Sequence, residues 1–348
     1  MNHFIRAFLS LTFVIMVGCK APSDSVTKPS TTTLKSSDFT IAFGSCNDQK
    51  RPNVLWNAVL EHQPDLWIWG GDNIYSDTDD MLKMKADYEK QWSDENYQKL
   101  SASTKILGTW DDHDYGLNDA GADYAKKKES QQLFLDFMGV AQTDARRSRE
   151  GVYHSEVLIH QKGSIKIILL DTRYFRTALT EDNESKRRYK PNSDKEGTVL
   201  GSEQWKWLEN ELKSSKADFN IIVSSIQFLS DAHGFETWGN FPHEVNKLKA
   251  LITASQAKGV LLLSGDRHIS EFSRTSVEGL DYPLVDFTSS GLTHAYTNYS
   301  GEPNPYRVGE VVYEISFGLL EFNFETKEIK MEMRGKNNLL LNAMKQTF

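Results

Sequence analysis

Trp67-Ile68-Trp69-Gly70-Gly71-Asp72-Asn73-Ile74-Tyr75 is the stretch around which the chain is organised. The apolar run 66–69 reads as a short buried strand. Two glycines stop it, and a carboxylate and a phenol follow three residues apart. Open α/β sheets bind ligands at the carboxyl edge of their strands, so this pattern predicts a strand that delivers Asp72 and Tyr75 to a site.

Other segments repeat the pattern. Residues 39–43 alternate apolar side chains and run into Gly44-Ser45-Cys46. A short apolar strand precedes Trp110-Asp111-Asp112-His113-Asp114, where the carboxylates would repel strongly with nothing positive between them. Residues 164–170 end in Asp171-Thr172-Arg173, residues 219–226 in Gln227, and residues 259–263 in Ser264-Gly265-Asp266-Arg267-His268. Helical spacing fills the gaps: 51–62, a polar stretch over 78–100, 126–138, a helix N-capped by Ser202, and 243–257. Strand and helix alternation predicts parallel β-α-β units. The tail, 311–333, alternates in β fashion and is expected to form hairpins that close the second sheet.

The 348 residues carry a net charge of −8, which argues against broad nucleic-acid binding because no basic excess faces a phosphate backbone. A small phosphate ester stays compatible, since bound metal can dominate the local field. The start of the chain reads as an export signal. Arg6 precedes an apolar run over 7–17, too short to span a bilayer, and Gly18-Cys19 follows. Met16-Val17-Gly18-Cys19 resembles the bacterial lipoprotein signal, which implies lipid on Cys19 and anchoring to the cell envelope. The expected organisation is a signal over 1–19, a Pro, Ser, Thr and Lys-rich tether over 20–37, and one catalytic domain over 38–348. Cys46 is then a free thiol with two readings, a metal ligand or a small buried hydrophobe.

Asp, His, Cys and Tyr at the ends of separate strands are what a two-metal site requires, with a carboxylate bridging cations about 3.5–4 Å apart and water between them acidified toward neutral pH. Asp72 is the bridge candidate. The ordered blocks quoted above, with Trp238 to Glu244 as a further one, resemble the binuclear metallophosphatase superfamily and within it the PhoD-like (alkaline phosphatase D) family. The resemblance implies an αββα four-layer sandwich, two mixed sheets between helices. It implies hydrolysis of phosphomonoesters or phosphodiesters by a metal-bridged hydroxide. Cys46, Asp72, Tyr75 and His268 fall where one metal, ferric iron in the characterised type, is held. Asp72, Asp112 and Asp266 fall at the second, calcium; zinc and manganese stay open for either position. His113 takes the general-acid position and Arg173 that of a phosphate-facing cation, although Arg173 could equally pair with Asp171 in a structural network. Gln227 is left without a role, Asn118 could also reach the second metal, and His233 alone among the other histidines could line the site. Lys186-Arg187-Arg188, in the polar loop 177–198, reads as solvated surface more readily than as a lid.

A serine hydrolase is disfavoured because Asn73 stands where the nucleophile would be, and no Gly-x-Gly-x-x-Gly or Gly-rich Lys loop supports a nucleotide fold. The alternative of another class is a non-catalytic envelope lipoprotein that binds a ligand through its aromatics.

Overall fold

A computed structural model describes residues 37–193 and 195–348; the expected signal segment with Cys19, and the tether up to residue 36, lie outside them. The chain runs β1 (Phe39–Gly44), α1 (Trp56–Glu61), β2 (Leu66–Gly70), α2 (Met81–Trp92), α3 (Glu95–Ser103), β3 (Lys105–Thr109), α4 (Asp112–Tyr115), α5 (Lys127–Phe137), β4 (His154–His160) and β5 (Gly163–Leu169). It continues through β6 (Thr180–Glu181), β7 (Tyr189–Lys190), α6 (Gly201–Ser214), β8 (Phe219–Val223), α7 (Pro242–Ser255), β9 (Val260–Ser264), β10 (Ser270–Thr275), β11 (Leu284–Ser289), β12 (Arg307–Val312), β13 (Ser316–Asn323), β14 (Glu328–Gly335) and β15 (Leu340–Thr347). One sheet is ordered β15-β14-β13-β1-β2-β3 and the other β12-β10-β11-β9-β8-β5-β4. β1 to β3 are parallel, as are β5, β8, β9 and β11, while β13, β10 and β4 pair antiparallel with them, so both sheets are mixed.

The two-residue period of the strands sets the layers. Ile41 and Phe43, Leu66 and Ile68, Ile165 and Ile167, Phe219 and Ile221, and Leu261 and Leu263 all enter one core between the sheets. Residues of the opposite parity on the same strands, Ala42, Trp67, Ile168, Ile222 and Leu262, face outward under helices. Trp56, Val59, Tyr97 and Leu100 cover the first sheet, and Trp205, Leu208, Leu212, Leu248 and Ile252 the second. Strands buried on both faces read as continuous apolar runs, which is why 66–69 has no polar residue. Each such side chain contributes about 1.5–3 kcal/mol by leaving water. The expected αββα sandwich is the observed architecture.

Four local expectations differ. The tail hairpins close the first sheet rather than the second: β13 pairs with β1 from Phe39↔Phe322 to Phe43↔Gly318, while β10 and β12 already occupy the edge of the second. The helical stretch 78–100 breaks in two because Asp94 caps a new helix, accepting from Asn96 N and Tyr97 N at 2.9 Å. Ser202 lies inside α6, whose N-cap is the buried Leu200 without a side-chain bond. The helix expected over 51–62 is only Trp56–Glu61, since Asn53 Oδ1 takes Leu55 N at 3.0 Å, a local bond that competes with helix.

Candidate metal centre

The ends of β1, β2, β3 and β9 converge at one sheet edge, where an isolated bridge between Ser45 and Ser290 ties the two sheets together. Beyond these strands the chain turns through left-handed backbone at Cys46 (φ 59°), Asp72 (50°), Asp266 (68°) and His268 (54°). Such conformations cost non-glycine residues of order 1 kcal/mol and gather at functional sites. Gly71, at φ 102°, lets the loops close: a Cβ there would lie 2.7 Å from that of Asp111 and 2.9 Å from that of Ser225.

The side chains meet as the strand-end pattern predicts. Cys46 Sγ lies 3.4 Å from Asp72 Oδ2 and 3.0 Å from Ser290 Oγ. The Tyr75 hydroxyl donates to Asp72 Oδ2 at 3.2 Å and sits 2.9 Å from His268 Nε2. His113 N donates to Asp72 Oδ1 at 3.3 Å. Three overlapping groups, Cys46/Asp72/His268, Asp72/Asp112/His113 and Asp111/Asp112/Asp266, each hold their donor atoms within 4.8 Å of one another. Asp72 is the member shared by the first two, the position expected of a bridge.

The charge balance fits cations. Burial pushes the carboxyls of Asp72 and Asp266 well above the usual carboxylate range, and neighbouring acids add to it. Burial likewise pushes the Cys46 thiol up to about 11 and the Tyr75 phenol well above its ordinary value. Asp112 Oδ1 and Asp111 Oδ2 are buried with no hydrogen-bond partner, a condition that native interiors rarely leave unmet. A thiol, a phenol, an imidazole and clustered carboxylates suit a highly charged ion at Cys46, Asp72, Tyr75 and His268, and an oxygen-ligated ion at Asp72, Asp112 and Asp266.

His113 stands at the edge of this cluster, 19 % exposed, with Nδ1 2.7 Å from Asp77 Oδ1 and its ring 4.2 Å from that of Tyr75. Burial favours the neutral imidazole, but the carboxylates of Asp72 and Asp112 and the bond to Asp77 outweigh it and push its pKa up to about 11. The ring lines an open cleft of about 510 Å³ with Asp112, Asp266 and His268.

Arg173 corrects an expectation. Its side chain is fully buried, ion-paired through Nε to Asp111 and through Nη1 to Glu236 at 2.5 Å, with Asp112 Oδ1 3.9 Å from Nη2. Arg176 holds the other oxygen of Glu236 at 2.7 Å. Arg173 therefore braces the acidic floor from below and does not line the cleft. Asp171 is not its side-chain partner either: that carboxylate accepts from Trp110 Nε1 and from the backbone of Val152, Arg173 and Tyr174. Gln227 turns away to donate to Glu271 at 2.8 Å and Thr288 at 3.0 Å. Asn118 is exposed on the cleft wall, whereas His233 is buried behind it. Asn73 donates to Asp114 Oδ2 at 2.6 Å and to Thr109 O at 2.9 Å, locking the β2 turn onto the β3 turn.

Four residues escape the strand-end reading. Asp111 joins the carboxylate cluster, Asp77 holds His113, and His294 lies edge-on to His268 at 4.4 Å and to Tyr75 at 5.0 Å. Arg188 lines the cleft from a distant loop. Only Asp111 carried a local signal, its place beside Asp112.

Two mixed sheets flanked by helices, with acids, imidazoles and a thiol at one edge, define an α/β, metallophosphatase-like fold. Residues 41–305 match the family model of PhoD-like phosphatases, and the chain belongs to that family. It is 23 % identical over 272 residues to alkaline phosphatase D of Bacillus subtilis (strain 168), covering 68 % of this chain and 46 % of that protein. The chain thus spans about half the length of this curated relative. The solved structure of PhoD superposes with a TM-score of 0.69 at 18 % identity, over 89 % of this chain and 68 % of that one. GAP50, described as the anchor in the inner membrane complex of Plasmodium, gives 0.58 at 14 % identity, over 89 % of each chain. A dimetal phosphatase from Danio rerio gives 0.54 at 13 %, over 90 % of this chain and 99 % of that one. At these identities the structural likenesses concern the fold.

Proposed function

We propose that this chain is a metal-dependent phosphoric ester hydrolase acting on small phosphate monoesters or diesters. The observation that carries the reading is the convergence of Cys46, Asp72, Asp112, Asp266 and His268, from four strand ends, into overlapping donor groups within 4.8 Å, with the Tyr75 hydroxyl 3.2 Å from Asp72 and 2.9 Å from His268. Membership of the PhoD-like family supports it. Cys46, Asp72, Tyr75 and His268 would hold one ion and Asp72, Asp112 and Asp266 the other. Bound there, two cations would supply acidified water and offset negative charge on the phosphoryl oxygens.

The protein's own contribution is to position and to donate. His113 has one ring nitrogen engaged by Asp77 at 2.7 Å, which leaves the other for the cleft. The Asp77 carboxylate at 2.7 Å favours the imidazolium form, so His113 can pass a proton to the departing ester oxygen, a role that contributes roughly 10²–10⁴-fold. The Tyr75 ring packs beside the imidazole at 4.2 Å, tilted by 30°. Arg173 and Arg176 offset the negative floor from beneath.

Asp72→Asn tests the reading. One carboxylate shared between two cations cannot be replaced by an amide, so metal content measured by elemental analysis and turnover of a mono- and a diester should both collapse. Stoichiometric metal with near-normal turnover would refute it. The export signal and the lipid on Cys19 belong to the same proposal, supported by the sequence of residues 1–19 alone. Cys19→Ser should move the protein from the detergent phase to the aqueous phase without loss of activity; a wild-type protein already in the aqueous phase would sink that part.

A further inference from the structure

With Arg173 committed beneath the floor, the cations of the cleft come from elsewhere. Loop 177–198 folds back as the β6–β7 hairpin, and Arg188 N and Tyr189 N both donate to the Gly234 carbonyl at 2.9 Å. The Arg188 guanidinium and the Tyr189 hydroxyl both reach Asp119 Oδ2 at 2.7 Å. Asp119 N donates in turn to Asp112 Oδ2 at 2.6 Å. The hairpin is thereby tied to a carboxylate of the candidate metal centre.

Beside Gly234, the ring of Phe235 carries the Arg267 guanidinium at 4.0 Å, and Glu302 holds its Nη2 at 2.8 Å. The Nε of Arg267 is buried with no partner. Arg188 and Arg267 line the same cleft as His113 and Asp266. Arg187 packs its stem on Gly234 and forms no ion pair among the described residues. Two guanidiniums thus line one rim of the cleft, Arg188 from the hairpin and Arg267 beside Phe235, each paired with a carboxylate, Asp119 and Glu302, and Arg187 lies next to Arg188 on the hairpin.

The scissile phosphate would be neutralised at the metal centre, so it does not account for this rim. A neutral leaving group could return only neutral hydrogen bonds to the guanidiniums, about half the strength of charge-assisted ones. A carboxylate or phosphate would complete them, since guanidinium forks match those anions in shape and charge. We propose that this rim reads a second anionic group on the substrate, so that the preferred esters carry a carboxylate or a further phosphate beyond the one cleaved. The inference rests on the hydrolase reading above and adds a substrate class to it.

The test uses matched esters with the full-length, metal-loaded protein: glycerol 2-phosphate against 2-phosphoglycerate, and fructose 6-phosphate against fructose 1,6-bisphosphate. The more anionic member of at least one pair should be preferred in kcat/KM by roughly tenfold, the scale of a charged hydrogen bond. The preference should shrink as salt rises to about 0.5 M, because the rim is solvent-facing. Arg187→Ala/Arg188→Ala should bring the ratio close to unity, mainly through KM. Arg188→Lys should give an intermediate ratio, and Lys186→Ala, exposed on the same loop but away from the cleft, should leave it intact. Equal rates within both pairs, or a preference that survives in the double variant, would overturn the role of the rim and leave the hydrolase reading standing. Turnover of neither member would overturn both.

Discussion

Replacing Asp77 with asparagine separates the charge of the His113–Asp77 pair from its geometry. The amide oxygen can still accept from His113 Nδ1, so the ring stays oriented while the carboxylate charge is removed. A hydrogen bond to a charged group contributes about 1.5–3 kcal/mol and a neutral one about 1 kcal/mol. Asp77 is 43 % exposed, so solvent screening trims the difference to about 1 kcal/mol, or roughly fivefold in rate. Asp77→Ala removes the bond altogether and should cost up to about 2 kcal/mol, roughly thirtyfold. The loss should fall on esters with poor leaving groups, which need the proton, and spare 4-nitrophenyl phosphate. The pH profile carries a second readout. Asp77 is among the groups that push the His113 pKa up, so removing its charge moves the alkaline limb of kcat to lower pH. The assay is kcat and kcat/KM against pH on an alkyl phosphate and on the nitrophenyl ester. An unchanged alkaline limb, or equal losses on both esters, would refute the proton-donor role of His113.

Arg173→Met should destabilise the fold by about 3–5 kcal/mol in denaturant unfolding, because it strands the buried carboxylates of Asp111 and Glu236; a cost below about 1 kcal/mol would mean that the floor is not braced this way. Asp286 lies away from the cleft, and burial, opposed by bonds from Leu229 N, Ser264 and Phe228 N, pushes its carboxyl from 3.8 up to about 6. A raised carboxyl favours folding at low pH, and that contribution is lost as pH rises through about 6. Asp286→Asn should therefore gain on wild type by about 3 kcal/mol between pH ~4 and pH ~8; a constant difference across that range would contradict it. Cys46 and Tyr75 offer a thiolate and a phenolate to one ion, a pair suited to ferric iron, so the purified protein should be coloured with iron near stoichiometric. Tyr75→Phe should shift or bleach the band, and a colourless, fully active enzyme containing only zinc would refute the iron assignment.

Most of the site was legible in the sequence because its signals are local. A strand buried on both faces must be apolar throughout, a glycine must follow where the backbone turns sharply, and a ligand placed there can only face the sheet edge. Cys46, Asp72, Tyr75, Asp112, His113, Asp266 and His268 all obey that grammar; the alternation of strands and helices implied parallel β-α-β units, and the two sheets between helices came from the family resemblance. Partner choice obeys none of it. Arg173 sits 62 residues from Asp111 in sequence and 63 from Glu236, and nothing near Asp171-Thr172-Arg173 says whether its guanidinium faces substrate or is sealed beneath the floor. Asp77, His294 and Arg188 reach the site from loops whose local composition is that of ordinary surface. The tail alternated correctly, but which sheet it joins is set by long-range pairing: β13 lies beside β1, while β10 and β12 form the edge of the other sheet. Periodicity and turn chemistry are properties of a few neighbouring residues, so the sequence alone determined the strands and the candidate ligands at their ends. Burial and ion pairing are properties of segments brought together by packing, and only the tertiary structure decided which charges face the cleft and which ones support it.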